Sequence, residues 1–168
     1  MLLFVVGSGR AEQNSRSVAK PDTIPVSQVK LKKASVDHIL GTIPESNAQV
    51  TLVNVWATWC QPCREEFPAI LQVYRELKEE GFRLIFISAD FPEQEKQARR
   101  FLANHGVDFQ TYMKTDKDQQ FINALHPDWS GALPGTFIYD DSGELLRYWE
   151  GRAEYSRFKQ AVQNVVTK

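Results

Sequence analysis

The chain has 168 residues, 42% hydrophobic and 24% charged, which fits one globular domain with a real core and is short for two. A net charge of −1 gives no electrostatic reason to expect nucleic acid or an anionic membrane as partner. Only two cysteines are present, three positions apart, which leaves none for a second bridge or a four-cysteine metal site.

The apolar start, Met1 to Val6, is too short for a transmembrane helix, which needs about 20 apolar residues. With the small residues Gly9 and Ala11 behind it, the segment 1–11 reads as the remnant of a secretory signal. The polar stretch 12–28, with Pro21 and Pro25 and no period, reads as a flexible linker, and the folded domain is placed at 29–168. Val29-Lys30-Leu31-Lys32 alternates like an edge strand. Ser35 to Gly41 reads as a short helix with Ser35 as N-cap and Gly41 as its stop.

Val50 to Trp56 is apolar and β-branched, the signature of a buried strand. A run with helical spacing follows from Pro62 to Glu80. It carries Phe67, Ile70, Leu71, Tyr74 and Leu77 on one face, Pro68 as an expected kink and Gly81 as its end. Cys60 and Cys63 therefore fall at a strand-to-helix junction. A helix N-terminus offers unpaired N–H groups and partial positive charge, both of which favour a thiolate. Two intervening residues also let the sulfurs meet as a disulfide.

Arg83 to Ala89 reads as a second buried strand, so the two strands and the helix between them form a right-handed parallel βαβ unit. A helix is expected over Glu93–His105, with Ala98, Phe101 and Leu102 inward and Gly106 as stop. A short extended piece at Phe109–Met113 and a helix at Asp118–Leu125 follow. After the turn-rich Trp129–Gly135 come a strand at Thr136–Asp140, a turn at Asp141-Ser142-Gly143 and a return strand at Glu144–Trp149. An amphipathic helix over Glu154–Val166 closes the chain.

Trp59-Cys60-x-x-Cys63 after a buried strand, Pro68 five residues past the second cysteine, and Leu133-Pro134 ahead of a hairpin together resemble thioredoxin. Val53 to Cys60, Arg64-Glu65-Glu66-Phe67-Pro68 and a long segment from Pro92 to Asp128 resemble more finely the extracytoplasmic TlpA/ResA-like thiol–disulfide oxidoreductases. The resemblance covers about Val29 to Val166. It implies an α/β thioredoxin-like fold: a central mixed sheet flanked by helices, with an α/β insertion ahead of the Leu-Pro loop and the dithiol at the C-terminal end of the sheet. Two departures stand out. Asn54 occupies the place of thioredoxin's buried aspartate and cannot accept a proton. A helix signature stands before Val50 where the family shows a glycine-centred hairpin.

The resemblance makes Cys60 the attacking thiolate and Cys63 the resolving thiol. Zinc would need further ligands, and His38, His105 and His126 are scattered along the chain. A purely structural bridge between cysteines so close would remove little chain entropy. Spacing leaves Glu66 open between a solvated helix glutamate and a proton acceptor one turn from Cys63; the resemblance implies the acceptor. Base rates favour a trans Pro134; the resemblance implies cis, with the loop backbone beside a bound substrate strand. Trp59, Gln61, Pro62 and Leu133 are then candidate walls of the substrate groove, although Trp56 and Trp59 by themselves read as packing residues around the dithiol, and His126 as a helix end. No cofactor is implied beyond the two cysteines. The implied protein is a monomeric, periplasmic or otherwise extracytoplasmic reductant of protein disulfides, for example in cytochrome c maturation, recharged by a membrane electron donor. An interaction module without turnover and a thiol peroxidase are the alternatives. The intact dithiol with Pro134 speaks against the first. The second needs a Thr-x-x-Cys pocket with an arginine, a pattern the sequence does not show.

Overall fold

The computed structural model describes residues 23–166. The expected signal remnant, 1–11, and most of the expected linker lie outside them. Six strands form one sheet in the order β1-β4-β3-β2-β5-β6: β1 (Leu31–Ala34), β2 (Val50–Trp56), β3 (Phe82–Ser88), β4 (Thr111–Lys114), β5 (Gly135–Asp140) and β6 (Leu145–Glu150). The first four strands in that order run parallel; β5 pairs antiparallel with β2, and β6 with β5. Five helices cover the sheet: α1 (Val36–Gly41), α2 (Gln61–Leu77), α3 (Glu95–Asn104), α4 (Asp118–Leu125) and α5 (Tyr155–Val166).

Every residue of β2 is buried, because β3 and β5 flank it and helices cover both faces. Alternation along the strands then divides the core in two. Val50, Leu52 and Trp56 of β2, Phe82, Leu84 and Phe86 of β3 and Ile138 of β5 pack with α2, α3 and α5. Val53, Val55, Ile85, Ile87, Phe137 and Tyr139 pack with α1 and α4 on the other face. Phe67 of α2 lies in the first layer, stacked on Phe86 at 4.1 Å and edge-on to Trp56 and Phe101. This cluster seats α2 on the sheet directly behind the cysteines.

The expected elements are present with shifted ends. The edge strand lies at Leu31–Ala34 instead of Val29–Lys32, and the piece expected from Phe109 is β4, which enters the sheet between β1 and β3. The segment Pro92–Asp128 supplies α3, β4 and α4, the α/β insertion. Ser35 caps α1 through the His38 N–H, but Gly41 is the helix's last residue, not its stop. Thr42 follows in right-handed geometry, and its hydroxyl donates to the Ile39 carbonyl at 2.7 Å, so no left-handed cap is required. Gly81 (φ 86°) and Gly106 (φ 68°) do take the left-handed conformation that ends a helix. The motif helix gives way to a 3₁₀ turn at Lys78–Glu80 before Gly81. Pro68 stands inside α2 on its exposed side, where Arg64, whose carbonyl it leaves without a helical donor, is exposed as well.

The end of the expected flexible linker is not free. Ile24 donates its N–H to the Ala103 carbonyl at 3.0 Å, and its side chain packs against the first core layer. An apolar residue with a backbone partner holds this stretch against α3 despite its polar, proline-rich composition.

Candidate active site

The chain leaves β2 at Trp56, makes a tight turn in which the Cys60 N–H donates to the Ala57 carbonyl (3.1 Å), and enters α2. Cys60 is the N-cap of α2 and Pro62 lies in its first turn, where a missing N–H is harmless. The Cys60 sulfur accepts the Cys63 N–H at 3.3 Å. Cys60 and Cys63 are joined as a disulfide, with Cα atoms 5.3 Å apart. Cys60 lines a cavity of about 890 Å³, whereas Cys63 does not reach it and is 1% exposed.

The cavity runs from the disulfide across the C-terminal ends of the parallel strands. Trp59, Gln61, Pro62 and Leu133 all line it, with Met113 and Phe121 among its apolar walls. Trp59 is 56% exposed and so does not pack around the dithiol as expected; Trp56, on β2, is buried. The difference lies in the turn after Trp56, which takes Trp59 off the sheet and onto the rim. Phe91, which also lines the cavity, is 63% exposed.

The Leu133-Pro134 bond is cis. Pro134 itself is not among the residues lining the cavity, and its carbonyl accepts the Gly151 N–H at 2.8 Å. The expectation that the Pro134 backbone faces a substrate strand therefore moves back one residue. Leu133 lines the cavity, and its N–H and carbonyl have no hydrogen-bond partner among the described residues.

Glu66 is not a solvated helix glutamate: it is 1% exposed. It shares the buried face of α2 with Cys63, Phe67 and Ile70. Asn54 and Thr136 are direct partners across the β2–β5 pair and point to the same face. Asn54 Nδ2 donates to Glu66 Oε1 at 2.9 Å and to Thr136 Oγ1 at 3.1 Å. The Ala153 N–H donates to Glu66 Oε2 at 2.9 Å. Burial pushes the Glu66 carboxyl up to about 7, opposed by the Ala153 N–H, the Asn54 amide and the Arg152 charge. Asn54 thus cannot take a proton itself but holds the carboxylate that can.

The sequence reading missed Asp90. Its buried carboxylate accepts the Thr58 N–H (3.0 and 3.1 Å to its two oxygens), the Thr58 hydroxyl (2.6 Å) and the Ser88 hydroxyl (2.7 Å). It ties the end of β3 to the turn that presents Cys60. An aspartate closing the apolar run at Ser88-Ala89-Asp90 was the available signal. Asp90→Ala leaves three donors without their charged acceptor, so it is expected to lower stability by about 2 kcal/mol in denaturant unfolding. Asp90→Asn is expected to recover part of that loss.

His126 caps the C-terminal end of α4 and stacks on Tyr148 at 4.1 Å. Among the described residues no three His, Cys, Asp or Glu side chains gather into a metal-binding group, and no helix is long and apolar enough to cross a membrane.

A mixed sheet with a cysteine pair at the start of the helix that follows its central strand, facing a cis Leu-Pro loop, defines a thioredoxin-fold dithiol protein. The chain belongs to the AhpC/TSA family, whose model matches residues 25–148. It is similar to the thiol-disulfide oxidoreductase ResA of Bacillus subtilis (28% identical over 99 residues, 59% of this chain and 51% of the relative). It is also similar to ResA of Oceanobacillus iheyensis (25% over 164 residues, 98% of this chain and 81% of the relative). It spans about half the length of the Bacillus relatives it matches. Among solved structures it resembles a thiol:disulfide interchange protein of the thioredoxin family from Chlorobium tepidum (TM-score 0.61, 24% identity, 71% of this chain and 81% of that one). StoA from Bacillus subtilis is a further likeness (TM-score 0.56, 18% identity, 69% and 84%). These likenesses show the fold.

Proposed function

We propose that the protein is a thiol–disulfide oxidoreductase that reduces disulfides in proteins outside the cytoplasm. The observation that carries this reading is the Cys60–Cys63 disulfide at the start of α2, with Cys60 on the cavity and the buried Glu66 one turn behind Cys63. In the reduced protein the Cys60 thiolate attacks a substrate disulfide. One substrate sulfur leaves as a thiolate and takes a proton from solvent, and the other is bonded to Cys60. Cys63 gives its proton to Glu66 and attacks the Cys60 sulfur. The second substrate thiolate leaves, and the pair is oxidised by two electrons. An acceptor whose acidity lies near neutrality suits this transfer. The unpaired Leu133 backbone offers an extended substrate segment a donor and an acceptor beside Cys60. Both sulfurs come from the chain, so the cycle calls on no further redox group.

The location reading draws on likeness in fold to two secreted proteins, a disulfide oxidoreductase of Mycobacterium tuberculosis and a thiol-disulfide isomerase of Corynebacterium glutamicum. In an oxidising compartment a reductant has to be recharged, and a membrane donor carrying electrons from the cytoplasm fills that role for a monomeric enzyme. Reduction of apocytochrome c thiols is one candidate use. A peroxidase reading is less well supported, since Ala57 stands where a Thr-x-x-Cys pocket has its threonine.

Insulin reduction with a small dithiol as electron source tests the activity, and trapping the in-cell redox state tests its direction. Catalysed insulin reduction and a mainly reduced cellular pool are expected. A mainly oxidised pool with the donor pathway intact indicates an oxidase. Peroxide consumption without insulin reduction overturns the reading altogether.

A further inference from the structure

Four consecutive residues at the end of β6 and just beyond it reach three separate parts of the site. Glu150 accepts the Ser130 N–H (2.6 Å) and hydroxyl (2.7 Å), on the loop leading to Leu133. Gly151 donates to the Pro134 carbonyl. Arg152 pairs with Glu65 on α2 and with Glu154, each at 2.7 Å. Ala153 donates to Glu66. Gly151 has φ 79°, the left-handed turn at which the chain passes from the Pro134 carbonyl, just ahead of β5, to α2.

We propose that Arg152 is a positioning residue for Glu66: by gripping Glu65 it holds the 150–153 strap against α2 and keeps the Ala153 N–H on the Glu66 carboxylate. Only the kinetic consequence rests on the acceptor role given to Glu66 above; the positioning itself does not.

The two ties run side by side. Glu65 and Glu66 are neighbours on α2, one exposed and one buried, and they meet the neighbours Arg152 and Ala153 on the strap. An exposed ion pair by itself contributes little. Here it shuts a loop whose next residue supplies one of two donors to a buried carboxylate. The other donor, Asn54, sits in the rigid centre of the sheet and needs no such support. On its own helix Glu66 shares the buried face with the Cys63 sulfur, and from the strap the charge that acts on it is Arg152, whose own partners Glu65 and Glu154 are exposed. β2 and β5 present only the neutral Asn54 and Thr136. Loss of Arg152 removes a cation and loosens a hydrogen bond. Both changes disfavour the carboxylate, so both raise its titration midpoint.

The test is a carboxyl-carbon NMR titration of Glu66 in the oxidised full chain, assigned with Glu66→Gln, together with amide exchange of Ala153. Arg152→Ala and Arg152→Gln are expected to raise the Glu66 midpoint by roughly half to one pH unit and to speed Ala153 exchange about tenfold. Arg152→Lys keeps the charge but not the forked grip, and is expected to restore the midpoint in part. An unmoved midpoint in Arg152→Ala overturns the proposal. So does a moved midpoint with unchanged Ala153 exchange, which makes Arg152 a distant charge and nothing more. If midpoint and exchange both move while the pH profile of mixed-disulfide resolution stays put, the strap stands and the acceptor role of Glu66 falls.

Discussion

Cys63→Ala is expected to stop turnover at the mixed disulfide and to trap substrate proteins on Cys60. The expectation comes from the unequal placement of the two sulfurs. Cys60 caps α2 at the wall of the cavity, while Cys63 lies beneath it on the buried face of the same helix. A substrate disulfide can reach only the first. Without Cys63 no internal thiol completes the exchange, since the chain has no other cysteine. Insulin reduction should fall to the assay background, and covalent adducts that a reductant releases should appear on non-reducing gels. Cys60→Ala should lose activity equally but trap nothing, because the remaining thiol is shielded. Adducts through Cys63 in that variant would reverse the assignment.

The same geometry bears on acidity. The Cys63 N–H already points at the Cys60 sulfur, and a helix N-terminus favours negative charge there. In the reduced protein the rate of Cys60 alkylation should therefore titrate below the free-cysteine value of about 8.5. A midpoint at or above that value would remove the helix terminus as the source of reactivity.

The apolar runs and their breaks made most of the scaffold legible in the sequence. Val50–Trp56 reads as a buried strand because five of its seven residues are large and apolar, three of them β-branched valines, and Asp118–Leu125 reads as a helix within the bounds the structure gives it. The burial of Glu66 was also within reach, since it falls on the stripe of Cys63, Phe67 and Ile70 at helical spacing. Other features had no local signature. The donor from residue 153 is a backbone N–H, which every residue but proline carries, so its meeting with Glu66 depends on the path of β6 across the sheet. Trp59 and Trp56 look alike in sequence and differ in exposure only because the turn between them leaves the sheet. Asp90 does have a local signal, at the end of an apolar run, but its tie to Thr58 exists only once the fold sets the turn after β2 beside the end of β3. The docking of Ile24 likewise needs a surface that only the finished domain supplies.

Glu66→Gln is expected to slow resolution of the mixed disulfide about 100-fold while leaving Cys60 alkylation near its parental rate. Loss of a placed proton acceptor has effects of this size, and Cys63 is too buried to hand its proton directly to water. The substitution also has a signature in stability. Glu66 titrates at about 7 in the folded oxidised protein against 4.5 when exposed, so the folded state binds more protons between those values. Stability falls wherever the folded state is the more protonated one. The contribution of neutral Glu66 is thus fully present below about 4.5 and is lost as pH rises through about 7, by up to about 3 kcal/mol at pH 8. Glutamine keeps the shape and cannot ionise, though its amide N–H₂ must face one of the two donors now aimed at the carboxylate, an offset that does not vary with pH. Denaturant unfolding of the two oxidised proteins, subtracted at each pH, isolates the titrating part from every shared group. The parent should lose stability relative to Glu66→Gln between pH 4.5 and 8. A flat difference would mean that folding leaves Glu66 with the acidity of an exposed glutamate, a far weaker acceptor for the Cys63 proton than a carboxylate titrating near neutrality.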